Sequence, residues 1–300
     1  MTDKKSKRSF PLRAIRYGFR IPGRILNHFV IHPAVGRWLK SSNLNLYVYD
    51  GERDLLRKVA HAERLNWVLS TDKACDAVPW LDRVEPLLKD SDVVFDVGAN
   101  IGVVAHWFAK RCSFVHAFEP FPTNITSIET QTELRNVDNM KIHRYSLGKT
   151  ETKMDLFVKG FHGHHSLGDV DNSPTVGHMQ VDVKTIDNVC VEHGIEVIDF
   201  LKIDVEGFEA DVLQGAKAML QEKRISLVVF ELKEALLKSI EKTSDEVFKP
   251  LLDAGYSILH LGGEILAGAS LENPVDGDYL ACLGPQEIQA RLGDSIHPLE

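Results

Sequence analysis

The chain has 300 residues, 44% hydrophobic and 26% charged, with a net charge of −8, the composition of an ordinary globular chain with material for a sizeable core. No uninterrupted apolar segment reaches spanning length and no apolar h-region precedes a cleavage site, so a membrane-spanning chain is set aside and a cytoplasmic location is the default expectation. The cysteines Cys75, Cys112, Cys190 and Cys282 stand far apart without metal-ligand spacing, which fits scattered core thiols rather than a disulfide framework. Charge is uneven. Residues 1–40 hold ten Lys or Arg against one acid, Asp3, a balance of +9, so the remaining residues carry −17. Large apolar residues such as Phe10, Ile15, Phe19 and Phe29 lie between the basic ones, which suits peripheral contact with an anionic membrane surface; a solvated tail and a helix packed on its own domain is the other reading. The acidic body argues against nucleic-acid binding.

In chain order, residues 52–70 and 79–89 have helix-like spacing, with Pro79 as the start of the second, and residues 1–90 read as a basic, mostly helical amino-terminal extension. From residue 91 short apolar runs alternate with amphipathic stretches. Strands are expected at Val93–Val97, Phe114–Phe118, Lys141–Tyr145, Ile198–Ile203 and Ser226–Glu231, and further on at 256–261 and 279–283. Helices are expected at Val103–Arg111, Thr123–Asn136, Glu209–Gln221 and 244–254. Such alternation predicts an α/β fold with a mostly parallel sheet covered by helices on both faces. Residues 150–185 break the rhythm with a strand at 153–158, a His- and Gly-rich loop, and a strand at 178–183.

The stretch "VFDVGANIG" at 94–102 is a buried strand entering a helix through a glycine turn, where backbone N–H groups can approach a ligand. The next strand ends "HAFEP", with Glu119 seventeen residues after Gly102, a spacing that suits an acid binding ribose hydroxyls. The turn lacks the G-x-G-x-x-G of a dinucleotide site, and Asp96 just before it would repel a pyrophosphate while suiting a cationic ligand end. S-adenosylmethionine, a nucleoside with an ammonium and a sulfonium, meets both conditions. An NAD-dependent dehydrogenase is disfavoured by the missing glycine spacing. A non-catalytic, cofactor-binding scaffold protein is the other alternative.

Together with "VKTIDNV" and "IDFLKIDVEGFEADVLQGAKAML", these motifs resemble those of the FkbM family of S-adenosylmethionine-dependent methyltransferases, over residues 91–232. The resemblance implies a Rossmann-like class I methyltransferase domain over 91–300, with a seven-stranded sheet in the order 3-2-1-4-5-7-6 and "YLACL" as its antiparallel strand. It implies O-methylation of a hydroxyl on a sugar, a glycolipid or polysaccharide precursor, or a natural product. It places Asp96, Gly98, Asn100 and Gly102 around the amino-acid portion of the cofactor, Glu119 on its ribose, and Ser146 and Leu147 near its adenine. Asp204 faces the transferring methyl, and Glu206 holds substrate or stabilises the turn with Gly207.

A sugar hydroxyl is a poor nucleophile near neutral pH, so a base or a metal is expected. Asp204 is the first candidate for the base and Glu206 the second. With Glu231 these acids share one rim, where oxygen ligands could bind Mg²⁺. His162, His164 and His165 lack the cysteine partners and the helical spacing of a zinc site. They read as a loop over the acceptor, with one histidine as an alternative base, or as a solvated loop.

Overall fold

The computed structural model describes residues 46–50, 55–59, 78, 80–159, 165–169, 175–261, 271, 274–286, 288 and 297–298. The basic segment 1–40, His162 and His164 lie outside them. The chain divides into two compact units, residues 1–77 and 78–300.

In the first unit, β1 (Leu46–Asp50) and β2 (Leu55–Val59) pair antiparallel, from Leu46 opposite Val59 to Asp50 opposite Leu55. Leu55–Val59 is therefore strand, not part of the helix expected over 52–70. Tyr47, Val48 and Tyr49 favour an extended chain, and pairing with them overrides the local helical spacing. The rest of the expected helical extension lies outside the described residues.

The second unit opens with a short helix, α1 (Trp80–Val84), and a 3-10 turn at Glu85–Leu87. Trp80, Leu81, Val84 and Leu87 are buried in one cluster with Val94, Phe108 and Phe200, so this helix packs with the sheet. The compact unit accordingly starts at Val78, ahead of the expected boundary at 90/91. Its strands are β3 (Val93–Val97), β4 (Phe114–Phe118), β5 (Met140–His143), β6 (Ser146–Leu147), β7 (Thr152–Lys159) and β8 (Thr175–Lys184). They continue with β9 (Ile198–Ile203), β10 (Ile225–Leu232), β11 (Ser257–His260), β12 (Gly277–Cys282) and β13 (His297–Pro298).

The main sheet runs β13-β11-β12-β10-β9-β3-β4-β5. Strands β5, β4, β3, β9 and β10 are parallel neighbours, whereas β12 is antiparallel to both β10 and β11. The expected order is thus observed, with "YLACL" in the antiparallel strand. The two-residue β13 adds an eighth, edge strand against β11 that no apolar run announced.

Burial on both faces explains the continuous apolar runs. Phe95, Phe118, Ile203 and Phe230 pack on one side; Val94, Val115, Phe200 and Val229 pack on the other. Strands β6, β8 and β7 form a separate three-stranded sheet, in that order.

The helix expected at 209–221 is two helices, Glu209–Gln214 and Lys217–Gln221, broken at Gly215–Ala216. A Cβ on Gly215 would fall inside the van der Waals shell of the Gly148 carbonyl oxygen, so glycine lets this corner press against the loop before β7. Gly215→Ala should cost about 1–3 kcal/mol, as overpacking does. Denaturant unfolding that leaves the stability unchanged would contradict this contact.

Candidate active site

Strand β3 is the switch point of the sheet, with β4 on one side and β9 on the other. Ligands of parallel α/β sheets bind beyond the carboxyl ends of strands at such a point. Here a cleft lies there, lined by Gly98 and Asn100 after β3, Glu119 after β4, Asp204 and Glu206 after β9, and Ser146 and Leu147 of β6.

The turn after β3 is shaped by left-handed backbone at Gly98 (φ +76°), Asn100 (φ +51°) and Gly102 (φ +86°). The Gly98 and Ala99 N–H groups donate to the Phe118 carbonyl at 3.1 and 3.0 Å, binding the turn to β4. A Cβ at Gly98 would collide with the Asp204 carbonyl oxygen, so this glycine is required by the close approach of β3 and β9. Gly102 is not among the cleft-lining residues. It begins the helix α2 (Val103–Ala109), and a side chain there would meet Ile128 and His106. Asp96 is also not among them: it is fully buried and ion-paired with Lys202 at 2.9 Å.

Glu119 joins the turns after β3 and β4. Its Oε2 accepts the Asn100 N–H and its Oε1 the Phe121 N–H, both at 2.8 Å. Burial raises its pKa to about 7, against the pull of these backbone bonds. Asn100 and Asn124 line the same cleft, and the Oδ1 of each is buried without a hydrogen-bond partner among the described residues. Phe118, Leu147, Leu156 and Leu167 give the same cleft apolar lining. Leu156 and Leu167 belong to the β7–β8 region, whose part in the cleft sequence reasoning missed because no local motif marks it.

Asp204, also in the lining, follows β9, with its N–H donated to the Val97 carbonyl at 3.1 Å and its side chain 43% exposed. Glu206 adopts φ +54°, a strained conformation for a non-glycine residue. Burial, reinforced by Asp204, Glu231 and Glu209, pushes its pKa to about 8 despite Lys233 at 3.7 Å. Glu209, which the motif reading passed over, is buried and its Oε1 accepts the Val205 and Gly207 N–H groups at 3.1 Å, closing the "DVEG" turn. Its pKa, raised by burial, is about 7. Asp278 stands opposite Glu231 in the β10–β12 register, and burial likewise raises it to about 7.

Among the described residues no group of three or more His, Cys, Asp or Glu side chains is arranged to hold a metal ion, so the Mg²⁺ that this rim could have bound has no ligand set there. The Lys233 ammonium, 2.7 Å from Glu231 and 3.7 Å from Glu206, lies between those acids instead. His165 lines the cleft, edge-on to Phe121, and its Nδ1 accepts the Lys159 N–H at 3.2 Å.

These raised carboxyls set a pH dependence. Glu119, Glu206, Glu209 and Asp278 all bind protons more tightly folded than unfolded, so their contribution to stability is full below the ordinary carboxyl range and is lost as pH rises through about 7–8. His116 and His143 act in the opposite sense. Burial first, and neighbouring cations next, lower them to about 4 and about 3, so their contribution is lost as pH falls below the ordinary histidine range. Thermal unfolding of the ligand-free protein should therefore show Tm rising from pH 8.5 to about 6.5. A Tm that falls over that interval would contradict these environments.

The sequence profile described as the Methyltransferase FkbM domain matches residues 96–258. The chain is similar to Methyltransferase 1 of Beauveria bassiana, 31% identical over 164 residues, covering 48% of this chain and 63% of that protein. It is similar to the 31-O-demethyl-FK506 methyltransferase FkbM of Streptomyces tacrolimicus, 28% identical over 214 residues, covering 61% of this chain and 80% of that protein. The 2-O-methyltransferase NoeI of Sinorhizobium fredii is 26% identical over 157 residues, covering 47% of this chain and 64% of that protein. The profile spans more than half of the chain, including the glycine turn, the "FEP" corner and the "DVEG" turn, and the chain belongs to the FkbM methyltransferase family.

Proposed function

We propose that the protein is an S-adenosylmethionine-dependent O-methyltransferase whose acceptor is a hydroxyl of a sugar, a glycolipid or polysaccharide precursor, or a natural product. The observation that carries this reading is one cleft at the switch point that Glu119, Asn100 and Asp204 line together. Family membership agrees with it, as do the O-methyltransferase names of two relatives. The family match and the missing third glycine leave the dehydrogenase alternative without support.

The residues fit the cofactor. Glu119 would hold the ribose hydroxyls, with the buried acceptor Oδ1 of Asn124 beside it. Gly98 and Asn100 would border the amino-acid portion, with Asn100 Oδ1 as a further acceptor. Ser146, Leu147, Leu156 and Leu167 form the wall for the adenine. When bound, the cofactor supplies an electrophilic methyl on a sulfonium.

The chain's own task is to align the acceptor oxygen, exclude water and take the hydroxyl proton. Asp204, half-exposed at the rim, takes that proton. Glu206, with its pKa near 8, is mostly protonated at neutral pH, so it offers a hydroxyl that can orient the acceptor oxygen. The test is a screen of hydroxylated acceptors read by isotope transfer from methyl-labelled S-adenosylmethionine, with and without chelator. Transfer to oxygen that survives chelation is the expected result; transfer to none of the acceptor classes would count against the proposal.

A further inference from the structure

Lys202 is a cation inside the parallel sheet. Its side chain is 4% exposed, and its neighbours along β9, Leu201 and Ile203, are fully buried. A buried ammonium is costly unless it is paired and hydrogen-bonded. The β3–β9 register sets it directly opposite Asp96, whose carboxylate lies 2.9 Å away. Charge balance is complete with that partner alone, yet the ammonium also donates to the Gly98 carbonyl at 2.8 Å and the Val97 carbonyl at 3.3 Å. It stands 3.7 Å from the Asp204 carboxylate, at the reacting end of the cleft.

We propose that Lys202 is a positioning residue for methyl transfer: anchored by Asp96 and the Val97 and Gly98 carbonyls, its ammonium holds the Asp204 carboxylate where it takes the acceptor proton. This rests on the reading of Asp204 as the base. Burial works against the charge of Lys202, but Asp96, Asp204 and Glu119 together more than offset it, and its pKa lies above the ordinary lysine value. The ammonium also touches the cofactor turn through the Gly98 carbonyl, but the turn's N–H groups are held by other partners. The Gly98 and Ala99 N–H groups are held by Phe118, and the Asn100 N–H by Glu119. Loss of Lys202 should therefore act on turnover more than on cofactor affinity.

Lys202→Met alone strands the Asp96 carboxylate in the core and is expected to compromise folding. The informative comparison is Asp96→Asn, which keeps the ammonium, against the double variant Asp96→Asn/Lys202→Met, which removes it together with its buried partner. The double variant should bind S-adenosylhomocysteine within about threefold of wild type by calorimetry. Its kcat should fall by about tenfold or more beyond that of Asp96→Asn, the scale of a small misplacement of a reacting group. Its crystal structure should show the Asp204 carboxylate displaced. Equal kcat in the two variants, or an Asp204 carboxylate that stays in place, would overturn the proposal and leave a structural ion pair. If the wild-type protein transfers no methyl group at all, the functional reading fails, and the position of Asp204 in the variant crystal structure still decides the role of Lys202.

Discussion

Asp204→Asn is expected to lower kcat by roughly 10²–10⁴, the usual contribution of a positioned general base, while the fold and the cofactor affinity stay close to wild type. The isosteric amide keeps the backbone bond from the Asp204 N–H to Val97, so the end of β9 holds its place. It removes the proton acceptor and the partner of Lys202 at 3.7 Å. Glu206 is the nearest substitute: burial still holds its carboxyl above the ordinary range, but without the Asp204 charge its pKa falls below the wild-type value of about 8. Residual activity in the variant should therefore rise between about pH 6 and pH 8. A variant with wild-type kcat across that range would remove Asp204 from the chemistry. A variant with no pH response would remove Glu206 as its understudy.

The second large effect is at Glu119, in the same cleft. Glu119→Ala should weaken S-adenosylmethionine binding by about 1–3 kcal/mol, the cost of leaving buried hydrogen-bonding groups unpaired. Part of that cost is local, because the Asn100 and Phe121 N–H groups lose their acceptor. Glu119→Gln separates the parts, since its amide oxygen can still accept from a backbone N–H but not as a charged group. A ribose hydroxyl donates best to the ionised carboxylate, and the pKa of Glu119 stands near 7. Wild-type affinity should thus decline as pH falls through 7, and this decline should be absent in Glu119→Gln. Calorimetry that finds the same pH dependence in both proteins would assign the ribose elsewhere. Gly98→Val is not an equivalent probe: at φ +76°, against the Asp204 carbonyl, a β-branched residue disrupts the β3–β9 contact itself.

The parts of the fold that were legible in the sequence are those decided by local pattern. Val93–Val97, Phe114–Phe118 and Ile198–Ile203 are apolar runs because both faces of the sheet are covered, and each ends on a residue that breaks the run. Their ends carry the cleft, so Glu119 could be found by spacing and Asp204 by the family resemblance of the motif that follows its strand. What depends on register was hidden. The pairing of Asp96 with Lys202 exists only because β3 and β9, about a hundred residues apart, align those two positions. The same holds for Glu231 and Asp278 across β10 and β12. Sequence alone therefore showed neither the buried ion pair of Asp96 nor the Asp204 backbone for which Gly98, beside the cleft, makes room. The helix Ile186–His193 carried a readable signal, Thr185 capping the Asn188 N–H, that apolar periodicity alone did not bring out.

Calorimetric titration of the wild-type protein with S-adenosylmethionine, and separately with NAD, tests the central claim most directly. A single saturable site for S-adenosylmethionine, with no heat from NAD, is the predicted result. Saturable NAD binding with no response to S-adenosylmethionine would contradict it.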